Sequence, residues 1–262
     1  MYFKPLFFDF PLDENTFTDT ENTFLVGSGL KVSPFLTDKD STSSYFPNAG
    51  WYSFPSGELA QSFNPLSSEG KYITFESGKD SGEIFTHMRS GYIIPYQSIT
   101  SPVLTTHDLQ SLPLQLYIAP LMAGEKLTQN GELLMNLKEE EEEEIIGFGK
   151  VYLDDGEKVN VQEIKSYSWH LITLKGSELT IKTDGDFHSD LIEARVNEII
   201  IFGGALYKSA RTACAYDMNQ AKLDIQMQTS YHQTTNIFKI EVTGATLINM
   251  KEVVRIVWGE TC

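Results

Sequence analysis

Apolar and polar positions alternate in segment after segment of this chain from about Leu114 onward, and that period of two predicts strands rather than helices. Leu223, Ile225 and Met227 share one face, with Asp224, Gln226 and Gln228 on the other. Phe238, Ile240 and Val242 alternate with Lys239, Glu241 and Thr243, and Val254, Ile256 and Trp258 repeat the pattern near the end. Successive strand side chains point to opposite faces, so each segment is half buried, as in a sheet packed on a second sheet. Trp169 to Leu174 and Glu178 to Thr183 flank Lys175-Gly176-Ser177 and predict a hairpin, and Asp184-Gly185 supplies a further tight turn.

The first hundred residues read differently, as short strands broken by Pro, Gly, Ser and Asn. Leu30 to Leu36, Lys71 to Phe75, Ile84 to Met88 and Tyr92 to Ile94 are the strand candidates; Ser56 to Gly70 and Ser98 to Ser111 are polar connectors. A boundary is expected near Leu112, and Gly124 to Gly147 reads as a surface insertion between two strands. Leu6-Phe7-Phe8, with Phe10, is continuously apolar, which predicts a strand buried on both faces, as in a parallel barrel. No strand followed by a long amphipathic helix is available to pair with it. An eight-fold barrel needs ~250 residues by itself, so none fits here.

Composition narrows the partners. With 20 basic and 36 acidic side chains the formal net charge is −16, which repels phosphate backbones and anionic lipid, so neither nucleic acid nor a membrane surface is expected as a partner. Six acids form one run, Glu139 to Glu144, read as a solvated loop. The two cysteines, Cys214 and Cys262, are too few for a disulfide framework and are read as core residues or free thiols rather than a bridge. No apolar stretch is long enough to span a bilayer. Met1-Tyr2-Phe3-Lys4-Pro5 does not read as a signal peptide, and no Asn-x-Ser/Thr acceptor occurs. The compartment is left unassigned.

Several residue sets imitate chemistry. Tyr216-Asp217-Met218-Asn219-Gln220 sits just before a strand, where Asp and Asn are ordinary turn residues. Asp154-Asp155-Gly156-Glu157 crowds three carboxylates but reads first as a hairpin turn, short of the six to eight oxygens that calcium prefers. His87, His107, His170, His188 and His232 show no ligand spacing, so no metal site is assigned, and no cofactor is implied. Gly27-Ser28-Gly29 is too short for a phosphate loop, and no Gly-x-Ser-x-Gly elbow appears. Asp9 is read as structural rather than pocket-lining. Phe46, Trp51, Tyr52 and Phe54 are read as core rather than as a sugar-stacking surface.

Four motifs stand in order along the chain: Lys4-Pro5-Leu6-Phe7-Phe8-Asp9-Phe10-Pro11, Tyr45-Phe46-Pro47 followed by Trp51-Tyr52, Arg89-Ser90-Gly91-Tyr92-Ile93-Ile94-Pro95, and Leu153-Asp154-Asp155-Gly156-Glu157. Together they resemble the C-terminal part of glycoside hydrolase family 31, the α-glucosidases. Lys4 stands where the family usually has Arg, and Ser90 where it has Gly or Ala. The resemblance implies a mainly β fold: two consecutive antiparallel β-sandwich domains preceded by an orphan last strand of a TIM-type barrel. Residues 1–27 would be the barrel remnant, 28–112 the proximal sandwich, and 113–262 the distal sandwich with the acidic insertion 124–147.

The activity implied is retaining hydrolysis of terminal α-linked glucose, which needs two carboxyl groups ~5 Å apart. In the family those groups lie in the barrel, upstream of all four motifs, so no catalytic residue is carried over and substrate-binding residues stay unassigned. The expected partners are an α-glucan, in the intact enzyme, and the missing barrel. A non-catalytic carbohydrate-binding or scaffold protein is the alternative reading.

Overall fold

The computed structural model describes residues 3–261 except 19, 37–39, 77–83, 98, 100–101, 106–107, 110–111, 127–144, 155–157, 162, 165 and 186–194. The acidic run, His107, His188, Cys262 and the last three residues of the Asp-Asp-Gly-Glu motif therefore lie outside the described residues. The chain divides into two compact units, Met1–Tyr92 with Ala119–Glu142, and Ile93–Ile118 with Glu143–Cys262. The boundary expected near Leu112 falls inside a segment that the second unit contributes.

In the first unit, β1 (Phe3–Lys4), β2 (Phe24–Val26), β3 (Leu30–Pro34), β8 (Ile84–Arg89), β5 (Trp51–Ser53) and β6 (Leu59–Gln61) form one antiparallel sheet in that spatial order. Between them in sequence, β4 (Ser41–Phe46) and β7 (Lys71–Glu76) form a separate antiparallel pair. Every strand candidate of the first hundred residues is present, and β6 lies inside the expected Ser56–Gly70 connector. Leu6, Leu25, Tyr45, Phe46, Ala49 and Trp51 form the core, with Phe46 edge-on to Trp51 at 5.9 Å. Phe46, Trp51 and Tyr52 are buried, as the core reading required, and the Trp51 indole donates to the Pro47 carbonyl at 2.9 Å.

The Leu6–Phe8 run corrects the barrel-strand expectation, because it is a 3-10 turn. Pro5, extended at φ −62°, has no N–H for a ladder, and its carbonyl accepts from Phe8 N at 3.3 Å. Leu6 O likewise accepts from Asp9 and Phe10, so the backbone is satisfied locally rather than by flanking strands. Only Leu6 of the three is buried; Phe7 stacks on Phe17 at 4.8 Å. The strand that does form is Phe3–Lys4, ahead of the turn, paired antiparallel with β2.

The second unit corrects the antiparallel-sandwich expectation. Among the described residues its sheet has eleven strands, with β9 (Tyr92–Tyr96), β10 (Leu114–Ala119), β11 (Gly147–Asp154), β12 (Tyr167–Lys175), β13 (Glu178–Asp184), β14 (Arg195–Phe202), β15 (Thr212–Tyr216), β16 (Met227–His232), β17 (Ile237–Val242), β18 (Ile248–Asn249) and β19 (Arg255–Gly259). The spatial order is β15-β19-β13-β12-β11-β9-β10-β14-β17-β16, with β18 beside β14. The sheet is mixed, since β10 and β14 run parallel, Leu116 opposite Ile199 and Ile118 opposite Ile201. Its two ends come back together: Leu223 N donates to Ala215 O at 2.9 Å, and Thr229 on β16 to Ala210 O at 3.1 Å. One nearly closed, barrel-like sheet thus replaces the two faces of a sandwich, and Leu116, Ile118, Ile172, Leu179, Ile199, Phe238, Ile256 and Trp258 fill its interior.

The alternation reading holds within that sheet. Gly176 and Ser177 turn β12 into β13 with Lys175 opposite Glu178, and Gly176 takes φ +50°. Phe238, Ile240, Ile256 and Trp258 are buried on alternate positions. Leu223 and Ile225 face the core in the expected phase, but the ladder begins only at Met227.

Candidate functional site

Carboxylates decide whether this chain holds hydrolytic chemistry, and three of them are buried in the first unit. Asp9 follows the 3-10 turn. Its carboxylate receives the Lys4 ammonium at 2.5 Å and faces the Arg89 guanidinium at 3.7 Å, with both partners themselves largely buried. Lys4 also donates to the Ser28 hydroxyl at 2.7 Å, which ties β1 to the turn between β2 and β3. The Arg89 guanidinium lies 4.4 Å from the Phe10 ring centre and 5.7 Å from that of Tyr92, where a cation is favoured by the ring faces. Burial raises the Tyr92 phenol above its ordinary range, opposed by the charge of Arg89.

Glu125 is the second, and it corrects the reading of Gly124 to Gly147 as wholly a surface insertion. It is 5% exposed. One oxygen accepts from Gly50 N at 3.1 Å; the other accepts the Ser90 hydroxyl and Met122 N at 3.2 Å. Burial, with the charge of Glu125 nearby, pushes the Tyr52 phenol up to about 12. The two departures from the family motif, Lys4 and Ser90, thus each bind one of these carboxylates.

Asp13, the third, caps the 3-10 turn Glu14–Phe17 by accepting Asn15 N at 3.2 Å. It also accepts the Tyr45 hydroxyl. Sequence reasoning passed over Asp13 and Glu125, although Asp13-Glu14-Asn15-Thr16 carries a recognisable capping pattern. Glu125 left no such signal, because its partners are 75, 35 and 3 residues away. Lys31 was missed too. It is fully buried, donates to Ser33 and Ser44 at 2.6 and 2.7 Å, and sits 4.0 Å from the Phe46 ring centre. Burial, helped by the Lys31 charge, lowers the His87 imidazole to about 3.

Each acid is therefore engaged by cations, hydroxyls or backbone N–H groups of its own unit, an arrangement that fixes chain geometry. A retaining glycosidase needs one carboxyl free to attack and another free to donate a proton. Asp217 is a turn residue, as expected: its Oδ1 accepts from Asn219 and Ala221 N, both at 2.8 Å, and Gln220 takes φ +61°. Asp154 closes β11 opposite Tyr167. Among the described residues no three His, Cys, Asp or Glu side chains converge as metal ligands. His170 lies inside the second unit between Ser168 and Thr183, at 3.2 and 2.9 Å, and burial lowers it to about 4. Cys214 on β15 is buried in the core, as expected, but it is disulfide-bonded rather than a free thiol.

These features define a β-domain assembly whose buried polar groups brace backbone segments. Comparison with known proteins places it. Residues 1–94 match the Glycosyl hydrolase family 31 C-terminal domain. The lysosomal alpha-glucosidase of Rattus norvegicus is 32% identical over 191 residues, covering 68% of this chain but 17% of that protein. The probable maltase-glucoamylase 2 of Homo sapiens is 26% identical over 257 residues, 97% of this chain and 9% of its own length. In fold, the glucosidase II alpha subunit superposes with a TM-score of 0.73 at 16% identity, over 98% of this chain and 26% of the subunit. The chain belongs to glycoside hydrolase family 31, as part of its C-terminal region.

Proposed function

We propose that this chain is the C-terminal accessory portion of an α-glucosidase-like hydrolase, inactive alone. The intact enzyme would hydrolyse terminal α-linked glucose from malto-oligosaccharide, starch or glycogen with retention, using carboxyl groups supplied by a catalytic barrel. Residues 1–27 would continue from that barrel, 28–112 form the proximal domain and 113–262 the distal one. The chain would brace the barrel and shape one side of its substrate cleft. What carries this reading is the asymmetry of coverage, nearly the whole of this chain against about a quarter of the matched subunit. The engagement of Asp9, Asp13 and Glu125 in internal contacts supports it.

The test is direct. Purified chain incubated with 4-nitrophenyl α-glucoside releases no 4-nitrophenol, and the native polypeptide in its own cells is several-fold larger than this chain. Turnover that disappears in Asp217→Asn would overturn the reading.

A further inference from the structure

The outward face of the β11–β12 hairpin carries three aromatic rings together. Tyr152 stands directly opposite Trp169 across the ladder, with ring centres 4.7 Å apart and planes tilted by 55°. Tyr167 lies 6.1 Å from Tyr152, its plane 22° from parallel. The pleat sets this grouping, since Val151, Ser168 and His170 alternate with them and are buried. Tyr152 and Trp169 keep 36% and 38% of their surface exposed, whereas Trp51 and Trp258 keep 0% and 2%. Charged groups border the rings. The Lys150 ammonium lies 5.7 Å from the Trp169 ring centre, Asp184 is the residue opposite Trp169 on β13, and Asp154 is opposite Tyr167.

A cross-strand aromatic pair stabilises a sheet wherever it occurs. Three clustered rings, Tyr152 and Trp169 exposed and Tyr167 half-buried, with carboxylates and an ammonium at their rim also match a particular ligand chemistry. A pyranose ring offers an apolar C–H face for stacking and a belt of hydroxyls that donate to carboxylates and accept from an ammonium. Two carboxylates at the rim, on a chain of net charge −16, disfavour phosphate-bearing ligands.

We propose that Tyr152, Tyr167 and Trp169, with Lys150, Asp154 and Asp184 at their border, form a non-catalytic surface site for a linear α-linked glucan. The choice of α-glucan rests on the α-glucosidase reading; the stacking site rests on the geometry alone. The site would hold a polymeric substrate against the accessory region.

Trp169 is the one exposed tryptophan among the three, so its emission reports the site without a label. Maltoheptaose added to the full chain should shift that emission saturably and give a matching isotherm by titration calorimetry. Cellohexaose should bind about tenfold more weakly, and Trp169→Ala or Tyr152→Ala should weaken maltoheptaose by about tenfold. Trp169→Phe, which keeps a stacking face and the sheet packing, should retain binding, with circular dichroism confirming that each variant is folded. No saturable response to maltoheptaose overturns the site, as does binding that survives both alanine variants in folded protein. Equal affinity for cellohexaose overturns the α-glucan assignment. Cleavage of maltoheptaose during the titration would instead sink the inactive-portion reading and leave the stacking site standing.

Discussion

Asp13 takes the Tyr45 hydroxyl on both carboxylate oxygens, at 3.0 and 2.7 Å, and the same phenol oxygen accepts from Gly70 N at 2.7 Å. One tyrosine thereby links the N-terminal turn to the β4–β7 pair. Burial and the Asp13 contact push the phenol up to about 12, so it remains a proton donor throughout ordinary solution conditions. Tyr45→Phe leaves the Asp13 carboxylate and Gly70 N short of a partner inside the protein. The expected loss is about 1–3 kcal/mol in urea unfolding. A midpoint unchanged from wild type would contradict that role.

Acid should destabilise the chain through two imidazoles. Burial holds His87 near 3 and His170 near 4 in the folded state, against an ordinary value of 6.5. Below that value the unfolded chain binds protons that the folded chain refuses. Stability from these groups is therefore complete above pH 6.5 and declines as pH falls toward 4 and then 3. Each imidazole contributes a slope of up to about 1.4 kcal/mol per pH unit across its window. Urea midpoints measured from pH 7 to 4 check the direction, and proton NMR should find both rings neutral at pH 5.

Gly149 lies where β11 passes β9. A Cβ there would meet the Ile93 carbonyl oxygen at 2.3 Å and the Ile93 Cβ at 2.7 Å. Backbone cannot yield as a flexible side-chain tip can, so Gly149→Ala should cost more than about 2 kcal/mol. Gly176→Ala tests a different cause, since its Cβ meets nothing within 4 Å and only the φ of +50° is strained. It should cost about 1 kcal/mol. Thermal melts of the two variants, ranked in that order, are the check.

Cys214 is buried on β15, next to β19, in a disulfide. Alkylation of native protein should leave Cys214 unmodified until a reductant is added. Reduction, or Cys214→Ala, should lower stability by about 2–4 kcal/mol. Free Cys214 thiol in unreduced, folded protein would contradict the bond.

Residue order alone settled the strands that alternate and the turns that punctuate them. The Lys175–Ser177 hairpin, the burial phase of Phe238 to Val242, and the harmless nature of Asp217 were all legible, because each depends on neighbours within a few positions. The four family motifs were legible for the same reason.

What the tertiary structure decided is how those strands close and where the buried charges end. The parallel pairing of β10 with β14, which turns a supposed sandwich into a nearly closed sheet, joins residues about eighty positions apart and leaves no local trace. The Leu6–Phe8 run has the composition of a buried strand, yet Pro5 withholds a donor and local hydrogen bonds satisfy the backbone, so it turns. Glu125 looks like the start of a polar loop until Gly50 and Ser90 reach it. Alternation records which face of a strand meets water. It carries no information about which distant strand, cation or amide will meet the other face, and that is fixed only when the chain packs.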